Sequence, residues 1–110
     1  MTAAMTMDMQ QRMQALEQAN RVRSRQAELK REMRDGLPIV AALADPRAAR
    51  LTVEALTLSL PGVGSRRVSG VLREMYLSPT RRVGELTRRQ RASLVYHLGA
   101  VSRFGNLTAG

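Results

Sequence analysis

From Asp8 to Asp35 the chain contains neither proline nor glycine, and good helix formers dominate. An unbroken run of this length folds as one long helix, and Asp35-Gly36 supplies its stop. At about 1.5 Å per residue the helix is roughly 40 Å long, too long to pack fully on a domain made from the remaining residues. Its apolar positions, Met13, Leu16, Ala19, Ala27 and Leu29, form an interrupted stripe, and Arg21, Arg23, Arg25, Lys30, Arg31 and Arg34 ring it. Two readings of that ring stand side by side. One is a solvated helix steadied by nearby acids such as Glu17 and Glu28. The other is a basic arm laid against a polyanion. Residues 1–7 have no spacing for burial and are expected to be disordered.

Beyond the stop, residues 36–101 are expected to form a small helical domain, with 102–110 a flexible tail. Pro38 suits the first helical position before Ile39, Val40 and Leu43. Asp45-Pro46 is a second cap-plus-proline start, leading into Leu51, Val53, Ala55, Leu56 and Leu58, the centre of the expected core. Leu60-Pro61-Gly62-Val63-Gly64 is a tight turn, with Ser65 as the N-cap of a helix that carries Val68, Val71, Leu72 and Met75 on one face. Ser78-Pro79 is expected to open another short helix, which Gly84 weakens. Thr87-x-x-Gln90 is a capping box for the last helix, which buries Leu94, Val95, Leu98 and Val101. No stretch alternates with a period of two, so the fold is expected to be all-α: a long N-terminal helix followed by a small helical domain.

Charge narrows the partners. Eighteen basic residues against nine acidic ones give a net +9, and Lys30 is the only lysine. Residues 1–50 carry nine basic and six acidic side chains (9 − 6 = +3), and residues 51–110 carry nine and three (9 − 3 = +6), so the excess lies in the C-terminal half. Arginine forks onto phosphate and never deprotonates, which suits a nucleic acid. Without cysteine, and with His97 the lone histidine, no disulfide, thiol nucleophile, metal site or cofactor is expected. Lys30 is isolated among basic residues and the acids lie mostly on exposed helix positions, so no catalytic site is expected. No apolar run approaches the roughly 20 residues that span a bilayer, the apolar face of 8–35 is too broken to anchor at a membrane surface, and the N-terminus does not read as a signal peptide. A cytoplasmic protein is expected. Tyr76, Tyr96 and Phe104 are too few for binding single strands by stacking.

Three groups of residues are spaced for phosphate. At Gly62, Val63 and Gly64 the glycines let backbone N–H groups point outward at a helix N-terminus, where the dipole favours an anion, with Arg66 and Arg67 beside it. A Pro-Gly turn between two helices also stands without any ligand. Arg81 and Arg82 follow Ser78-Pro79-Thr80. Arg88, Arg89 and Arg91 occupy the first turn of the last helix, where the dipole prefers acids, as though an external anion compensated. The reading is a binder of double-stranded DNA that contacts the phosphate backbone with little base readout, with Arg21, Arg23 and Arg25 as a second contact. A monomer is expected, because no apolar heptad seam offers a dimer interface. A basic module bound to RNA or the ribosome is the alternative.

The segment LPGVGSRRVSGVL at 60–72 resembles the helix-hairpin-helix type of DNA-backbone binder. Together with MYLSPTRRVGELTRRQRASL at 75–94 it resembles more specifically the integration host factor of the mycobacterial and streptomycete kind, whose helix-two-turns-helix core is shared with a small-subunit ribosomal protein. The likeness runs without gaps from about Val53 to Gly99, and ALEQANRVRSRQAELK at 15–30 is similar to that family's long first helix. The resemblance implies an all-helical, nucleoid-associated protein that bends or compacts duplex DNA and assists site-specific recombination, with a recombinase complex as a further partner. It implies DNA contact by Arg81 and Arg82, phosphate binding at Gly62–Gly64, and a basic role for Arg67. Gly84 stands where the family has a third arginine and Glu85 where it has glycine, which implies a weaker contact there. Val68 replaces a usual alanine, and Ser65 a common lysine. These departures mark a divergent copy of host or phage origin.

Overall fold

The structure is a computed structural model that describes residues 2–99, with side chains from residue 7 onward. Helix α1 spans Thr2–Arg34, 33 residues or about 50 Å. It starts at Thr2 rather than near Asp8, because the alanines, methionines and threonines before Asp8 contain no breaker and let the helix continue. Its end is the expected one. Gly36 takes φ 119°, and the Leu37 and Gly36 N–H groups donate back to the carbonyls of Glu32 and Met33 at 2.9 and 3.1 Å. The last third of α1 supplies its buried anchors. Leu29 and Met33 are fully buried, whereas Met9, Met13 and Leu16 are each more than half exposed. The molecule is accordingly elongated, 69 × 28 × 22 Å, with α1 projecting from a small helical body.

Within that body α2 spans Ile39–Ala44, with Pro38 as its N-cap rather than its first residue. Asp45 caps a 3-10 turn at Pro46–Ala48 by accepting from the Arg47 N–H at 2.8 Å. The helix expected to continue from Asp45 breaks here, and α3 begins afresh at Val53–Leu58 under a Thr52 cap. The cause is tertiary. Residues 49–53 are drawn out to pair with 81–84: Gly84 N–H donates to the Ala49 carbonyl and Val83 N–H to that of Leu51, both at 2.9 Å, and Val53 N–H to that of Arg81 at 2.8 Å. Thr52 and Arg82 face each other as an isolated antiparallel bridge.

The same pairing explains why no helix opens at Ser78-Pro79. Ser78 Oγ accepts from the Thr80 N–H at 3.3 Å, the chain turns, and a 3-10 turn forms at Val83–Glu85. Helix α4 spans Ser65–Glu74 with Gly64 as N-cap, so Ser65 is its first residue and not its cap. Helix α5, Arg88–Leu94, carries the expected Thr87–Gln90 capping box and runs into a wider π-type turn at Val95–Gly99.

The core gathers Leu29 and Met33 of α1 with Ile39, Leu43, Val53, Leu56, Val68, Leu72, Leu94 and Leu98. Val63, Leu77, Val83 and Leu86, all outside the expected helical stripes, are buried with them. Val40 and Leu58, expected inside, are 57% and 40% exposed, because their helices are short and present the opposite face inward. Val101 and the tail at 102–110 lie outside the described residues.

Candidate nucleic-acid interface

Pro61 followed by Gly62 at φ 76° is the pattern of a type II turn between α3 and α4. Val63 N–H donates to the Leu60 carbonyl at 3.3 Å and its side chain is buried, so Val63 anchors the turn from the core side. Its N–H, expected to face an anion, is engaged within the turn. No side chain caps α4, whose first main-chain bond is Val68 N–H to the Gly64 carbonyl at 3.1 Å. The N–H groups of Ser65, Arg66 and Arg67 therefore end the helix open, as the glycine turn requires. Arg66 and Arg67 are exposed and make no ion pair among the described residues.

At the other end of α3, the carbonyls of Pro79 and Arg81 accept from the Glu54 and Val53 N–H groups. The loop that carries the arginine pair is thus fixed to a helix end. The Arg81 side chain is exposed and forms no ion pair among the described residues. Arg82 lays Nη1 on the main-chain carbonyl of Arg50 at 2.5 Å, which orients its guanidinium. The Glu85 carboxylate turns back to accept from the Arg82 N–H at 3.3 Å, closing the 3-10 turn. Gly84 has its own reason: a Cβ there would lie 3.0 Å from the Ala49 carbonyl, so the close pairing with 49–53 favours glycine.

Arg88 and Arg89 stand exposed in the first turn of α5, which contains no acid. Arg91 does not join them. It is partly buried, and its Nε, Nη1 and Nη2 donate to the carbonyls of Leu86 (3.3 Å), Leu43 (2.6 Å) and Val83 (2.8 Å). Expected as a DNA contact, Arg91 turns its side-chain donors to the fold, as a cross-link between α2, the 3-10 turn and α5. One turn of α5 thus separates two outward arginines from one inward arginine, a distinction invisible in an Arg-Arg-Gln-Arg string.

On α1, Arg23 lines a groove against the body together with Arg50 and Arg82. Arg25 lines the adjoining groove with Arg47 and Arg50, and Arg21 lines neither. Sequence reasoning passed over Arg47 and Arg50. Arg47 holds Glu32 of α1 and Asp45 of the body together and lies 3.9 Å from Glu28. The Asp-Pro-Arg turn was the available signal for Arg47; nothing local marks Arg50. In the sequence Tyr76 counts only among the scarce aromatics. It ends α4 at φ 54°, 97% exposed, in the position that usually takes glycine. Among the described residues no helix is long and apolar enough to cross a membrane.

The S13-like H2TH domain family matches residues 29–98. The chain is 35% identical over 96 residues to the integration host factor of Mycobacterium tuberculosis, covering 83% of this chain and 91% of that protein. It is 36% identical over 91 residues to the integration host factor of Mycolicibacterium smegmatis, covering 78% and 87%. Among solved structures, that of sIHF bound to an 8-bp palindromic DNA superposes with a TM-score of 0.69 at 31% identity, covering 76% of this chain and 99% of the other.

Proposed function

The chain belongs to the integration host factor family of mycobacterial type, and from that membership we propose that it is an architectural protein of duplex DNA. The observation that carries the reading is a set of arginines that make no ion pair among the described residues and stand on rigid supports: Arg66 and Arg67 at the open end of α4, Arg81 and Arg82 on the loop fastened to α3, and Arg88 and Arg89 at the start of α5. The DNA-bound structural neighbour supports it. Guanidinium forks and open helix-end N–H groups recognise phosphate, which every sequence presents alike, so binding has little base preference. The basic stretch of α1 adds a further contact through Arg23, which faces the same groove as Arg82. Bending DNA against two contacts costs about 1–6 kcal/mol, which added phosphate contacts offset. Such bending would let the protein assist a site-specific recombinase. We assign the protein no catalytic step, and propose a monomer that acts at the nucleoid.

The test is a competition. A labelled random-sequence duplex bound to the protein should be displaced equally by unlabelled duplexes of unrelated sequence and less well by an A-form RNA duplex. Stronger displacement by RNA would favour the RNA- or ribosome-bound alternative. Displacement by only one DNA sequence would contradict backbone binding.

A further inference from the structure

Three arginines from two parts of the chain line one groove. Arg23 comes from α1, and Arg50 and Arg82 from the body; the rest of the wall is alanine, valine and glutamine, with no carboxylate. None of the three forms an ion pair among the described residues. Arg47, in the adjoining groove, differs: Glu32 and Asp45 already neutralise it.

The three positions are rigidly related. Arg82 rests on the Arg50 main-chain carbonyl, and the pairing of 49–53 with 81–84 fixes the two backbones. The Arg47 contacts and the burial of Leu29 and Met33 hold α1 to the same body. Like charges brought together across a groove repel, and an anion lying between them offsets that repulsion. The Arg50 side chain has no other evident task, since only its main-chain carbonyl serves the fold.

We propose that Arg23 and Arg50 grip the same sugar-phosphate backbone as Arg82, so that the groove between α1 and the body is one continuous phosphate track. Resting on the duplex-DNA reading above, this makes the α1 contact part of the main site. A single duplex lying in the groove engages α1 and the Arg82 loop at once. It also singles out Arg23 among the three α1 arginines, because Arg21 lines neither groove and Arg25 faces the one that contains the neutralised Arg47.

The experiment is the salt dependence of random-duplex binding for the wild type, Arg23→Ala/Arg50→Ala and Arg21→Ala. Each phosphate contact contributes about 0.9 to the slope of log K against log salt. The double variant should be shallower by about 1.8 units, so the loss of affinity between about 50 and 200 mM salt becomes roughly twelvefold smaller. Arg21→Ala should keep the wild-type slope. Thermal unfolding should be unchanged in both variants, since the Arg21, Arg23 and Arg50 side chains make no hydrogen bond or ion pair among the described residues. A double variant with the wild-type slope would overturn the proposal. So would an Arg21→Ala slope shallower by about 0.9, half the change expected of the double variant, which would mean a diffuse field in place of a track. A wild type that binds no duplex would instead overturn the DNA reading itself.

Discussion

Arg47 grips Glu32 with both arms of its guanidinium, Nη1 to Oε2 at 2.7 Å and Nη2 to Oε1 at 2.9 Å, while Nε and Nη2 hold Asp45 at 3.0 and 2.8 Å. The Arg47 side chain is only 19% exposed, so the fork lies partly sheltered against the base of α1. It is the one polar fastening between α1 and the body among the described ion pairs, and it sits near the apolar anchors Leu29 and Met33. A helix that projects so far needs its base fixed if its arginines are to hold position.

Removing the fork should loosen α1 without unfolding the body. In Arg47→Ala, amide hydrogen exchange should speed up along residues 25–34 and Tm should fall, while α4 keeps its protection. Glu32→Gln should show the same pattern more weakly, because Asp45 still engages Arg47. Unchanged exchange in α1 would show that Leu29 and Met33 suffice.

The fork also sets a pH dependence. Hydrogen bonding to Arg47 holds the Glu32 and Asp45 carboxyls below their ordinary values of 4.5 and 3.8, despite partial desolvation that acts the other way. Both folded-state values are depressed, so this stabilisation is fully present above the ordinary range and is lost as pH falls through the folded values. Tm should be flat from neutral pH down to about 5 and decline below about 4. The decline should be smaller in Arg47→Ala.

Arg88, Arg89 and Arg91 should separate into two kinds. Arg91→Ala leaves the carbonyls of Leu43, Val83 and Leu86 without their charged donor and should cost about 2–3 kcal/mol in urea unfolding. Arg88→Ala and Arg89→Ala should each stay within about 0.5 kcal/mol of wild type. Their effect should appear instead as a DNA-binding salt slope shallower by about 0.9 each. A stable Arg91→Ala with impaired binding would reverse the assignment.

What the sequence made legible was local. Thr87 and Gln90 announce their capping box, Asp35-Gly36 its helix stop, and Val68, Val71 and Leu72 their buried face, because each depends on neighbours within about one turn. What stayed hidden was set by distant partners. Ser78-Pro79 has the signature of a helix start, yet the backbone after it is claimed by residues 49–53 and by the N–H groups of α3. The same pairing splits the helix expected after Asp45 and explains Gly84. Arg82 and Arg81 are neighbours in sequence, but only the structure shows that Arg82 is anchored on Arg50 and Arg81 is not.

Tyr76 offers a test of stored backbone strain. A left-handed conformation costs an L-residue roughly 1–2 kcal/mol, and at φ 54° with its ring in solvent Tyr76 gains little packing in return. Tyr76→Gly should stabilise the protein by up to about 1 kcal/mol after the added chain entropy of glycine in the unfolded state. A destabilised Tyr76→Gly would mean that the ring makes a contact that outweighs the strain.

The most direct test of the central claim is the binding of a random-sequence duplex between about 50 and 200 mM salt, for the wild type and for Arg81→Ala/Arg82→Ala. With about eight phosphates neutralised, one for each of Arg23, Arg50, Arg66, Arg67, Arg81, Arg82, Arg88 and Arg89, log K should fall with log salt at a slope of about −7, and the double variant should be shallower by about 1.8. Arg81→Ala alone should keep wild-type stability, separating lost contact from lost fold, since of the two side chains only that of Arg82 makes a hydrogen bond among the described residues. A wild type that binds no duplex at low salt, or a double variant with the full slope, would contradict the account.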